Sequence, residues 1–278
     1  MTKMNRVFHS DTRRSQAIAG ELSAYLGGHV VDGDSFICRY AKDCKASSKA
    51  KHFYEGQAHH VGRHYDLTYE GRPWRIVVCG QENGRPIEHQ SMDDRYRQVV
   101  GSGQERFMAT SGFRTRNPHM KGTTSLLRLW FGLGLGKDYR DEFIRVNDEK
   151  VHIFDAFSLV NFLMCTATDG GNKGKSTGTM QYYCGGHFKQ IINILKPTLL
   201  VCQGDRVSQW VREAYGVIRI RPQEGRISTS TLETRVLEFS HPAAWGEKNW
   251  GWNDTTPYLL ARGEPAVTRV RDEILRKS

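Results

Sequence analysis

Long apolar runs are missing from this 278-residue chain. No stretch approaches the roughly 18 consecutive apolar residues of a membrane span, and the first thirty residues lack the apolar core of a secretory signal. Both absences point to a cytoplasmic protein with no membrane partner. No Pro-, Gly- or Ser-rich linker divides the chain, and no internal repeat or low-complexity tract is visible. One domain over 1–278 is therefore expected, with 1–70 forming an N-terminal helix and a cysteine-bearing extension. With 38% apolar residues, a chain of this length can bury a full core. Acidic residues are outnumbered: forty Lys and Arg against thirty Asp and Glu leave a formal charge of +10. That excess suits a polyanion such as DNA, although many basic proteins bind none. Six cysteines are too few, in a chain this long, for a disulfide framework, so reduced thiols or metal ligands are expected. Nothing in the sequence calls for an obligate protein partner.

Residues 11–26 read as a helix opened by Ser10 or Asp11 and stopped by Gly27 and Gly28. Four short apolar runs, 75–79, 151–157, 198–202 and 235–239, read as buried strands. Helical patterns lie between them. Leu126, Leu127, Trp130 and Phe131 share one face, Phe188, Ile191, Ile192 and Leu195 another, and Asp205 can cap a helix ending at Gly216. A last helix is expected over 264–277. Strands alternating with helices predict an α/β fold, a three-layer α/β/α sandwich around a central four-stranded parallel sheet.

Ligands of such sheets bind beyond the carboxyl ends of the strands. Here those ends are polar: Gly80-Gln81-Glu82-Asn83-Gly84, Asn161, Gln203-Gly204-Asp205 and Ser240-His241-Pro242-Ala243. A carboxylate, amides and an imidazole are thus expected on one rim.

These segments, in this order, resemble the uracil-DNA glycosylase superfamily, most closely its iron-sulfur branch, the family-four enzymes. That branch carries Gly-Glu-Ala-Pro-Gly after a strand, Pro-Phe before a Leu-Leu helix, Asn-Val-Val-Lys-Cys, a second cysteine, a strand beginning at Lys-Pro, and His-Pro-Ser. Here stand Gly80 to Gly84, Pro118-His119 before Leu126-Leu127, Asn161 to Cys165, Cys184, Lys196-Pro197, and His241-Pro242-Ala243. The resemblance spans residues 38–245. It implies a monofunctional DNA glycosylase that flips a pyrimidine out of the stack and cuts its glycosidic bond. Glu82 then stands where the family-one motif Gly-Gln-Asp-Pro-Tyr has its water-orienting aspartate, and Gln81 replaces the family-four glutamate. Which of the two is essential stays open; a carboxylate can both stabilise a cationic sugar and orient water, which favours Glu82. His241 supplies a hydrogen-bond donor to the leaving base. Asn161 reads the Watson-Crick edge, His119 stacks on the flipped base, and Asn83 and Gly84 complete the base-binding set. Glycine at 84 leaves the C5 side of a pyrimidine open, so the expected substrate is uracil or a bulky 5-modified cytosine such as the glucosylated hydroxymethylcytosine of phage DNA. Repair and antiviral defence both stay open. Lys173, Lys175 and Ser176 are expected at DNA phosphates, and Trp245 as a wedge in the duplex or as a core residue.

The same resemblance implies a four-iron, four-sulfur (4Fe-4S) cluster on Cys38, Cys44, Cys165 and Cys184, although the first two are spaced by five residues where that branch has two. Zinc on Cys38, Cys44 and two of His52, His59, His60 and His64 is the alternative. Cys79 and Cys202, at the ends of apolar runs, read as buried free thiols. Gly174-Lys175-Ser176 invites a phosphate loop and a nucleotide hydrolase, but that motif needs glycine at Asp169. A catalytically silent DNA- or damaged-base-binding protein is the other alternative.

Overall fold

The computed structural model describes residues 6–33, 35–55, 58–82, 91–104, 112–170, 174–251 and 253–276, without the side chains of 102–104, 112 and 114. Asn83, Gly84 and Lys173 lie outside the described residues.

A seven-stranded mixed sheet carries the architecture. Its strands are β1 (His60–Val61), β2 (Ile76–Gly80), β3 (Ser158–Asn161), β4 (Leu199–Gln203), β5 (Ile218–Arg221), β6 (Glu224–Ser228) and β7 (Glu233–Phe239), in the spatial order β5-β6-β7-β4-β2-β3-β1. The middle four, β7-β4-β2-β3, run parallel to one another. Antiparallel neighbours close both sides, β6 and β5 beyond β7 and β1 beyond β3. Every residue of β2, β3 and β4 is buried, as parallel strands covered on both faces require. Alternation sorts their side chains: Val77 and Cys79 enter one apolar cluster, Ile76 and Val78 the other.

Helices cover both faces. The first cluster receives α1 (Thr12–His29), α2 (Ala41–Ser48), α5 (Gly178–Leu195) and α6 (Asp205–Tyr215); the second receives α4 (Pro118–Phe131) and α7 (Glu264–Arg276). A further helix, α3 (Met92–Gln104), contacts β1. Among the described residues no helix is long and apolar enough to cross a membrane.

Several elements depart from the expected bounds. Asp11 caps α1, its carboxylate accepting from the backbone N–H groups of Arg13 (2.9 Å) and Arg14 (3.3 Å), but the helix runs through Gly27 and Gly28 to His29. Neither glycine has positive φ, so neither imposes the left-handed stop that ends α4 at Gly132. The apolar run 151–157 is not the second parallel strand. It divides between the hairpin strand Glu149–His152 and a 3-10 turn, Ile153–Asp155, and the parallel strand follows at Ser158–Asn161. An apolar run marks burial; it does not distinguish a strand from a buried turn. Asp205 is the first residue of α6 rather than its cap, which is Gly204 at φ +135°. That backbone conformation lets β4 turn directly into α6.

A second, five-stranded sheet has no counterpart in the sequence-based expectation. It is built from Glu149–His152, Phe143–Val146, Val7–Ser10, Leu67–Tyr69 and Arg72–Pro73, in that spatial order. Its Phe8, Leu67, Ile144 and Val146 pack into the apolar cluster beneath α4.

Candidate functional site

Register places the polar strand ends side by side. Asn161 pairs with Gly80, Cys202 with Cys79, and Gln203 with Phe239, so β2, β3, β4 and β7 finish along one edge. With β4 between them and neighbouring strands about 4.8 Å apart, the ends of β2 and β7 are separated by roughly 10 Å, the span of a nucleoside. Beyond the strands, Gly80 and Gln81 continue the ladder by accepting from the backbone N–H groups of Phe162 and Leu163, both at 2.9 Å. This holds Gln81-Glu82 beside Asn161. The Asn161 amide oxygen lies 3.4 Å from where a Cβ on Gly80 would stand.

Glu82 is the most unusual group on this edge. Its Oε1 accepts from Gln81 Nε2 at 3.2 Å, whereas its buried Oε2 has no hydrogen-bond partner. Burial pushes the carboxyl up to about 7, against the opposing pull of the Gln81 hydrogen bond, the Arg206 charge and the Ala167 backbone N–H. Gly174 makes room for it: a Cβ there would fall 1.7 Å from Oε1, so a side chain at 174 would evict the carboxylate. Gln81 Nε2 also reaches Ser176 Oγ at 3.1 Å, and Arg206 Nη1 donates to the same hydroxyl at 3.0 Å. Ser176 therefore points inward, toward the carboxylate's neighbours. Lys175 pairs with Asp169.

Beyond the end of β7, His241 Nδ1 accepts from the backbone N–H of Ala243 at 3.1 Å. A neutral ring then carries its proton on Nε2. His241 is exposed, yet desolvation of its ring, with the His119 imidazole beside it, pushes its pKa down to about 4. The ring is thus a neutral donor at physiological pH. His119 meets it edge to face at 4.4 Å between centroids. The Gln203 amide nitrogen donates to Thr123 Oγ1 (3.0 Å), leaving its oxygen to accept from His119 Nδ1 (3.1 Å). His119 is consequently fixed in orientation, and burial lowers its pKa. The backbone under His241 is fixed as well: Trp250 Nε1 donates to the Ser240 carbonyl at 2.7 Å, and the Ser240 N–H donates to Tyr258 Oη at 3.0 Å. Four residues past His241, Trp245 is 95% exposed. Trp250, by contrast, is core.

Two residues beside the strand ends, Arg206 and Arg95, were not assigned from the sequence, and a third, His59, was named there only for the zinc alternative. Arg206 sits in the first turn of α6, within electrostatic reach of Glu82. His59 Nδ1 accepts from the Asn161 backbone N–H at 3.4 Å; burial and the nearby Arg95 push its pKa down to about 3. Arg95, on α3, carries a charge that helps lower the pKa of His59, His60 and His119. The only sequence signal for Arg95 is its place in the Arg- and Gln-rich segment 88–117.

Three of the four candidate cysteines, Cys44, Cys165 and Cys184, lie in the first apolar cluster. Cys44 and Cys165 are in hydrogen-bonding contact, Cys184 Sγ accepts from the Met164 N–H at 3.5 Å, and Cys38 lies close enough for its charge to raise the pKa of Cys165 and Cys184. All six cysteines are free thiols, and Cys79 and Cys202 are fully buried in the sheet. Four thiols from four separate segments fit a sulfur-ligated cluster in donor chemistry. Among the described residues, no three His, Cys, Asp or Glu side chains are grouped so as to hold a single metal ion. Two of the four histidines of the zinc alternative are each engaged through one ring nitrogen: His59 Nδ1 with the Asn161 N–H, and His60 Nε2 with the Phe154 carbonyl at 2.8 Å.

The sequence matches no protein-family model and no curated protein. Function is therefore argued from the residues themselves.

Proposed function

We propose that this chain is a monofunctional DNA glycosylase of the uracil-DNA glycosylase type. The observation that carries the reading is Glu82: a carboxyl with a buried, unpartnered oxygen and a pKa of about 7, just past the end of β2, on the same sheet edge as the neutral donor His241 just past the end of β7. The parallel strand ends and the ordered motifs around them support it.

In the reaction, the bond between sugar C1′ and the base ring nitrogen breaks, and its electron pair leaves with the base. His241 Nε2–H hydrogen-bonds the base oxygen on which negative charge grows. Ionised Glu82 stabilises the cationic sugar and takes a proton from the water whose oxygen bonds to C1′. Gln81 orients the carboxylate, so it is a positioning residue. Asn161 reads the base edge, His119 flanks the base, and Trp245 enters the space the base vacates. No lysine lies at the strand-end motifs to form a Schiff base, which leaves an abasic site as the product. Uracil and bulky 5-modified cytosines are the substrate classes.

Cys38, Cys44, Cys165 and Cys184 would hold a 4Fe-4S cluster. When bound, its part is structural, tying α2 and α5 to the segment that follows β3. Mass spectrometry of bases released from DNA containing uracil, hydroxymethylcytosine or glucosylated hydroxymethylcytosine tests the proposal. Release of a pyrimidine by the wild type and not by Glu82→Gln is expected. DNA binding without release of any base would replace the enzyme with a silent binding protein.

A further inference from the structure

Beside the gathered cysteines stands a group that no motif singled out. His187 lies three residues after Cys184 on α5, hence on the same side of that helix. Its Nδ1 is 2.8 Å from Tyr25 Oη, contributed by α1, and its Nε2 is 3.8 Å from Cys38 Sγ. A phenol keeps its proton at neutral pH and donates it to Nδ1, so the imidazole carries hydrogen on Nε2, directed at the sulfur. Cys38 is the one of the four candidate ligands that is only partly buried. It is therefore the sulfur whose environment a neighbouring side chain can most alter.

We infer that Tyr25 and His187 form a relay that donates a hydrogen bond to the Cys38 sulfur and sets the reduction potential of the group the cysteines hold. The inference rests on the cluster reading. An N–H directed at a metal-bound thiolate withdraws charge from it and favours the reduced state, so the relay raises the potential. His187 is a positioning and tuning residue here, not a ligand, and Tyr25 acts by fixing its tautomer.

The test uses the full chain purified without oxygen, with iron and sulfide analysis followed by a potentiometric titration of the visible spectrum. His187→Phe should retain iron and titrate at a more negative potential. His187→Gln, whose amide can still donate, should lie between that variant and the wild type. Tyr25→Phe should shift in the same direction by less. Equal potentials in wild type and His187→Phe at equal iron content overturn the relay; if that variant does not fold, an unshifted Tyr25→Phe does so. Wild-type protein lacking iron and sulfide defeats both the cluster and the relay. The base-release assay remains a separate judgement on the glycosylase reading.

Discussion

Two carboxylates with buried oxygens have opposite fates in this molecule. Glu142 is fully buried between Arg116, whose Nη1 and Nη2 donate at 2.9 and 2.7 Å, and His152, whose Nε2 donates at 3.1 Å. Burial alone would raise its pKa, but the hydrogen bonds from His152 and Arg116 outweigh that and hold the carboxyl below its usual range. Arg116 is anchored in turn by Thr124 Oγ1 at 2.8 Å and stacks 4.6 Å over the Phe154 ring. Glu82 is half-buried, and the Gln81 amide, the Ala167 backbone N–H and the Arg206 charge do not offset its desolvation, while Oε2 has no partner. A satisfied carboxylate holds structure together; an unsatisfied one costs stability and keeps its reactivity. The same residue type is thus fully satisfied at one position and left half satisfied at the other.

The largest expected effect comes from exchanging each carboxylate for its amide. Glu82→Gln should slow base release by about 10²–10⁴-fold while DNA binding largely survives. Glu142→Gln should leave release per folded molecule unchanged but destabilise the protein by about 3–5 kcal/mol, because Arg116 loses its buried counter-charge. Single-turnover assays and denaturant unfolding read the two outcomes. A folded Glu142→Gln protein without activity, or a fully active Glu82→Gln, breaks the contrast.

Next in size is His241. Removing one donor to a developing negative charge typically costs about 10²–10³-fold, so His241→Phe should fall in that range. His241 is neutral above a pKa of about 4, so it contributes no inflection near neutrality. The wild-type rate should instead rise as pH passes through about 7, where Glu82 ionises, and level off above it. A profile flat from pH 6 to 8 would remove Glu82 as the proton acceptor.

Stability should follow pH with opposite signs at the two carboxylates. The folded pKa of Glu82 is raised, so its ionisation is resisted by the fold, and stability is lost as pH rises through about 7. Glu82→Gln abolishes that loss. It should be more stable than wild type at pH 9, on the order of 2 kcal/mol, and nearly equal at pH 4. Glu142 is depressed, so its contribution is present above the ordinary glutamate pKa and lost as pH falls through its folded value. Thermal unfolding of both amide variants across this range measures the crossing.

How much of this was legible in the sequence depends on what each residue had to signal. Short buried strands announce themselves by apolar content, so β2, β4 and β7 fell within two residues of the expected runs. The strand ahead of Asn161 did not, because residues 151–157 are apolar for a different reason: they enter and turn beneath the second sheet. That sheet was invisible because its strands pair across distant parts of the chain, Val7–Ser10 with both Leu67–Tyr69 and Phe143–Val146. Strand-end residues such as Glu82 and His241 were legible because topology forces them onto one edge. Arg206 and Arg95 were not, since a lone arginine on a helix carries no mark of the groups its charge reaches. Nor could spacing reveal that Gly174, read as part of a phosphate-loop decoy, makes room for the Glu82 carboxylate.

The smallest expected effect distinguishes the exposed aromatic from the buried one. Trp245 stands 95% exposed at the start of a short 3-10 turn, Gly246–Lys248, and leaving so large an apolar ring in water has a cost that docking can recover. A wedge offsets the unstacking of a base pair, so it matters for duplex and not for single strands. Trp245→Ala should therefore lower release from duplex DNA by roughly 10-fold, leave single-stranded substrate within about 2-fold, and leave thermal stability unchanged. Trp250, fully buried with its indole N–H on the Ser240 carbonyl, should behave oppositely. Trp250→Phe loses that bond, loosens the His241 loop and slows release on both substrates alike. Equal losses on both substrates for Trp245→Ala would place its role in the loop and not in the duplex.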